Sequence, residues 1–139
     1  MSEDNKLIVY RAIEEVYSKG NVEAVEEIYA PDYVFHWTFG PNVHGPQGVK
    51  DSVNRRRAVL PDVTMIVEDQ IAEGDKVVTR WTVRDTRQGE GRSAPPNGDR
   101  VMMSGILIDR IAEDKIQESW AEEAWTEEAG VALRLRIAN

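Results

Sequence analysis

The feature that most constrains this chain is an alternation in its centre. Across residues 76–87, Val77, Thr79, Trp81 and Val83 fall at odd positions, while Val78, Arg80, Thr82 and Arg84 fall between them. A period of two with one apolar face belongs to a half-buried strand. The same period runs through residues 63–69, 100–111 and 115–122. Glu73-Gly74-Asp75 and Glu113-Asp114 supply tight turns between successive runs, and residues 88–99 form a Gly/Pro loop. Four strands joined this way pair antiparallel, and they need a cover for their apolar face.

The cover comes from the N-terminal half. Leu7, Ile8, Ala12, Ile13, Val16 and Tyr17 stand at helical spacing over residues 3–18, and Gly20 closes the helix. A second short helix fits residues 22–29, stopped by Pro31, and a third fits residues 49–59, ended before Pro61. Residues 34–38 read as a short strand between them. Helices first and hairpin-linked strands afterwards give an α+β arrangement in which a curved sheet wraps over helices.

Bulk properties narrow the function. The chain has 139 residues, which suits a single domain spanning residues 1–139, with a tail from about 124 to 139. Cysteine is absent, which removes disulfides, thiolate metal sites and a cysteine nucleophile. The net charge of −8 argues against nucleic acid as a partner, since phosphate binding rests on clustered Lys and Arg. The one basic cluster, Arg55-Arg56-Arg57, reads as the solvated face of a helix. The longest nearly apolar run, residues 101–108, is too short to span a bilayer, so no membrane partner is expected. The acidic opening residues lack the pattern of a signal peptide, and a cytoplasmic location is expected.

Several stretches together carry a family resemblance. They are Val16 to Ala24 with its Gly20-Asn21 break, Tyr29-Ala30-Pro31-Asp32-Tyr33-Val34 followed by His36, and Gly45-Pro46-Gln47-Gly48-Val49. The hairpin around Glu73-Gly74-Asp75, the Pro95-Pro96-Asn97-Gly98 loop, Ile108-Asp109-Arg110-Ile111 and Lys115 to Trp120 complete the set. In this order they resemble the SnoaL-like polyketide cyclases of the nuclear transport factor 2-like superfamily. The resemblance implies a cone-shaped α+β fold, its antiparallel sheet enclosing an apolar pocket, in a homodimer. It further implies aldol-type ring closure without metal or organic cofactor. Relatives on the same fold include ketosteroid isomerases and limonene epoxide hydrolases, so a small apolar carbonyl, ester or epoxide compound is the implied ligand.

Carried over residue by residue, the family's catalytic Asp on the last strand falls at Ala121, and the His on the strand before it at Leu107. The helix-one Tyr of the isomerases falls near Ile13. Proton transfer therefore needs other groups here. If Ile116 and Trp120 face the pocket, Glu118 and Glu122 share their parity, and a one-residue bulge would bring Glu122 to the family's Asp position. Glu122 is the first candidate base and His36 the second. The competing reading leaves Glu122 solvated at a strand end and makes His36 structural. The expected pocket lining is Ile13, Tyr17, Trp37, Trp81, Leu107, Glu118 and Trp120, with the three tryptophans suited to a flat ligand. His36 and His44 do not have a metal-ligand spacing. An acid–base enzyme and a non-catalytic small-molecule-binding protein both remain open.

Overall fold

The computed structural model describes residues 2–61, 63–85 and 100–125. The Pro95-Pro96-Asn97-Gly98 loop and residues 126–139 of the expected tail lie outside the described residues.

The N-terminal helix α1 (Ser2–Arg11) continues as a π-helical stretch, Ala12–Ser18. Gly20 ends it at φ +73°, a left-handed conformation that glycine adopts without steric cost. A 3-10 turn, Val22–Ala24, leads into the short α2 (Val25–Ile28), and the chain then extends as β1 (Tyr29–Trp37) and β2 (Val43–His44). Helix α3 (Gly45–Val59) starts on Pro46, whose missing N–H costs nothing in a first turn. Strands β3 (Val63–Glu73), β4 (Lys76–Asp85), β5 (Arg100–Ala112) and β6 (Lys115–Trp125) follow as hairpins. Tyr29 thus begins a strand instead of ending a helix, and β6 runs past Glu122 to Trp125.

The six strands form one sheet in the order β2-β1-β6-β5-β4-β3. The four C-terminal strands pair antiparallel, as their short turns require. β1 joins β6 in parallel, so the sheet is mixed instead of wholly antiparallel. Only a long connection permits that, and α3 with the three hairpin strands supplies it. The β5–β6 turn has Glu113 and Asp114 both at positive φ, the conformation whose twist matches a two-residue hairpin.

The inner face of the sheet meets the helices. Val9, Ile13, Val16, Val25 and Ile28 pack with Val49 and Val53 of α3 against Val77, Trp81, Val83, Met103 and Ile116. At ~1.5–3 kcal/mol for each fully buried aliphatic side chain, this layer dominates the stability. The outer face carries a cross-strand row running from Ile71 through Val78, Ile108 and Trp120 to His36. No helix among the described residues is long and apolar enough to cross a membrane.

Candidate functional site

Two adjoining cavities open between the helices and the inner sheet face. The inner one measures about 30 Å³ and is walled by Tyr17, Tyr29, Tyr33, Trp81, Asp109 and Ser119, among others. The outer one is a groove of about 590 Å³ between β1, β2 and α3, bordered by Trp37, Phe39, Arg55 and Trp125. Phe35, Arg56 and Glu123 line both, and so stand where one meets the other.

Asp109 is the chemically distinctive group. It shares inward parity on β5 with Leu107 and Ile111, and only 2% of its surface is exposed. Ser119, directly across on β6, donates a hydrogen bond to Oδ1. Oδ2 is buried with no partner among the described residues. Burial pushes the Asp109 carboxyl up to about 7, against the opposing hydrogen bond from Ser119. A carboxyl so placed is present in both protonation states near neutral pH.

Three phenols surround it. Tyr17 comes from the π-helical stretch, a type of helix irregularity frequent at functional sites. Tyr29 and Tyr33, four residues apart on β1, are both buried and point inward on the parity of Phe35 and Trp37. Their rings meet edge to face with centroids 4.6 Å apart. Burial raises all three hydroxyls above the ordinary phenol value, so they stay protonated donors. Tyr29 bonds to Tyr17, and Ser119 bonds to Tyr33.

Arg56 stands at the junction with its guanidinium 5.8 Å from the centre of the Tyr17 ring, and it opposes the upward shift of that phenol. Arg57 donates to the Ser18 carbonyl at 2.8 Å. The basic run is therefore not simply a solvated face: of the three, Arg55 alone is exposed. In the groove, Trp37, Phe39 and Trp125 form an aromatic group with centroid separations of 5.7 to 6.5 Å.

The candidates read from sequence divide between the two faces of the sheet. Tyr17, Trp81 and Leu107 line the inner cavity, and Trp37 lines the groove. Ile13 is fully buried in the core and lines neither cavity. Glu118, Trp120 and Glu122 share the outer parity, and Glu122 is exposed. The reason is a bulge: Ile111 pairs with Ile116 but Arg110 pairs with Glu118, so Gln117 is an extra residue. Ile116 and Trp120 therefore face opposite sides, and Ser119, Ala121 and Glu123 turn inward. His36 is also on the outer face, 2.6 Å from Glu118 and stacked on Trp120 at 5.3 Å. Arg110 bonds the same carboxylate at 3.2 Å. Among the described residues no group of three or more His, Cys, Asp or Glu could hold a metal ion.

Asp109, Tyr29, Tyr33 and Ser119 were missed as site residues. A signal existed for Asp109, since a carboxylate on the parity of Leu107 and Ile111 breaks an apolar face. Tyr33 gave one as well, since it stands on the parity of Phe35 and Trp37, whereas Tyr29 gave none while residues 22–29 read as a helix.

The family model of the SnoaL-like polyketide cyclases matches residues 7–124. The chain belongs to that family. A protein assigned as a polyketide cyclase from Acidithiobacillus ferrooxidans shares 28% identity with it, with a TM-score of 0.71 over 100% of this chain and 99% of the other. IdmH from Streptomyces antibioticus, also assigned as a polyketide cyclase, gives 26% identity and a TM-score of 0.69 over 97% and 99% of the two chains. AclR from Streptomyces galilaeus, assigned as a hydroxylase, shares the fold at 20% identity and a TM-score of 0.67, over 97% of each chain. The comparison with curated proteins found no match. Within the SnoaL-like frame, Leu107 and Ala121 pair across β5 and β6 and both line the inner cavity. The polar pair of this chain, Asp109 and Ser119, lies one inward position away, two residues after Leu107 on β5 and two before Ala121 on β6.

Proposed function

We propose that this SnoaL-like protein is an acid–base enzyme in which Asp109 takes a proton from, and returns it to, a small apolar carbonyl, ester or epoxide compound entering through the groove. The observation that carries the reading is the buried Asp109 carboxyl, held near neutrality at the wall of a cavity with one oxygen unpaired. A base removing a proton next to a carbonyl works best when its own affinity for the proton matches the working pH. The protonated tyrosines supply donors for charge that develops on the ligand oxygen. The aromatic wall of the groove, Trp37, Phe39 and Trp125, suits the apolar body of such a ligand. The side chains alone supply the proton transfer in this scheme.

Hydrogen–deuterium exchange next to the carbonyl of 2-tetralone and related apolar ketones, followed by NMR in D₂O, tests the proposal. Exchange above the buffer rate is expected, rising through about pH 7. Asp109→Asn should lower it ~100-fold or more. Equal exchange in that variant contradicts the reading. A non-catalytic binding protein is the second reading, supported by the apolar Leu107 and Ala121 where the cyclases keep His and Asp. It predicts ligand binding with no exchange above buffer in the unmodified protein.

The reading includes a homodimer formed through the outer sheet face. The row of Ile71, Val78, Ile108 and Trp120 supports it, with Ile71 68% exposed in the single chain. Sedimentation velocity should give a dimer that Ile108→Glu converts to monomer. A monomer in the unmodified protein contradicts this part.

A further inference from the structure

Two buried side-chain polar atoms have no partner among the described residues, Trp81 Nε1 and Asp109 Oδ2. Both residues line the same inner cavity. The indole N–H can only donate, whereas a carboxyl accepts when ionised and donates when protonated. Buried polar groups are almost always paired, so two complementary orphans on one cavity wall call for a shared explanation.

The size of the cavity limits what can fill it. At about 30 Å³ it is far smaller than the adjoining groove of about 590 Å³, so the bulk of a ligand lies in the groove and a small oxygen-bearing end reaches inward. The indole is held in place by the strand beside it. Trp81 pairs with Gly105, and a Cβ built there would lie 2.5 Å from Trp81 Cζ2 and 2.9 Å from Cε2. The ring occupies the space a side chain at position 105 would take, its N–H is buried, and Trp81 lines the cavity.

We infer that the inner cavity is an oxygen subsite, in which one carbonyl or enol oxygen of the ligand accepts a hydrogen bond from Trp81 Nε1 while the ligand's apolar body remains in the groove. The inference deepens the acid–base reading and rests on its choice of this cavity. It makes Trp81 a catalytic residue. A ketone oxygen gains negative charge as the neighbouring carbon loses its proton, and a fixed donor binds that oxygen more strongly than the ketone. The ligand class follows from the subsite: a compound that leads with one unhindered carbonyl or enol oxygen on an apolar frame.

The test uses 2-naphthol, whose hydroxyl on a flat apolar frame stands in for an enol, with naphthalene as the oxygen-free control. The indole N–H resonance of Trp81, assigned by its disappearance in Trp81→Phe, should move downfield with 2-naphthol and stay in place with naphthalene. Trp81→Phe should bind 2-naphthol about fivefold to tenfold more weakly and naphthalene equally well. An unmoved resonance, equal 2-naphthol affinity in the two proteins, or no 2-naphthol binding at all overturns the inference. The resonance shift is read on the unmodified protein, so the test survives a poorly folding variant. A moved resonance together with ketone exchange unaffected by Asp109→Asn removes the acid–base reading and leaves the subsite standing. An unmoved resonance with exchange abolished does the reverse.

Discussion

Ser119 sits directly opposite Asp109 in the β5–β6 pair and donates its hydroxyl hydrogen to one carboxyl oxygen, leaving the other without a partner among the described residues. One satisfied and one free oxygen orient the carboxyl while keeping it available. The same burial that makes it available makes its charge costly.

That cost sets the first prediction. In the folded chain the Asp109 carboxyl ionises near 7, and in the unfolded chain near its ordinary 3.8. Between these pH values the unfolded state has released a proton that the folded state still holds, so stability falls as pH rises, and above about 7 the loss is complete. At 1.36 kcal/mol per pH unit the interval corresponds to about 4 kcal/mol. Relative to the unmodified protein, Asp109→Asn should therefore gain about that much between pH 4 and pH 7 and nothing more beyond. Urea unfolding of both proteins at four or five pH values measures it, and parallel pH profiles would contradict the burial argument.

Glu122→Gln should leave ketone exchange within about twofold of the unmodified rate, because the bulge at Gln117 turns Glu122 to the outer face of the sheet. His36→Ala should behave likewise, since its ring is engaged by Glu118 and Trp120. A large loss in either variant would return the reacting site to the outer face.

How far the site could be read from residues alone follows from that bulge. The alternation over residues 76–87 placed Val77, Thr79, Trp81 and Val83 on the buried face, because β4 is regular over that stretch. Helical spacing found the core residues Ile13 and Val16, and the family frame found Leu107 and Ala121 on the cavity wall. On β6 the parity rule failed, because one inserted residue exchanges the faces of everything beyond it and no residue type announces a bulge. Parity assigns Trp120 to the pocket lining with Trp37, but it faces outward, and Trp125 stacks near Trp37 in the groove. Asp109 went unrecognised for a different reason: a charged residue in a strand is usually solvated, and that expectation outweighed its parity with Leu107 and Ile111.

Gly105→Ala should destabilise the fold by ~1–3 kcal/mol. The added Cβ would stand 2.6 Å from the Glu122 carbonyl oxygen as well as against the Trp81 ring, and the backbone contact cannot be relieved by a rotamer change. Thermal unfolding measures the loss. Fluorescence should register a displaced Trp81. Unchanged stability would mean that the ring does not lie against this strand.

The acid–base scheme requires Asp109 to be a buried carboxyl that titrates near neutrality. ¹³C NMR of protein labelled at the aspartate carboxyl carbons, with the Asp109 signal assigned by its absence in Asp109→Asn, tests it most directly. The account predicts a titration midpoint near 7 for this one signal. A midpoint near 4, the ordinary range of an exposed aspartate, would contradict it.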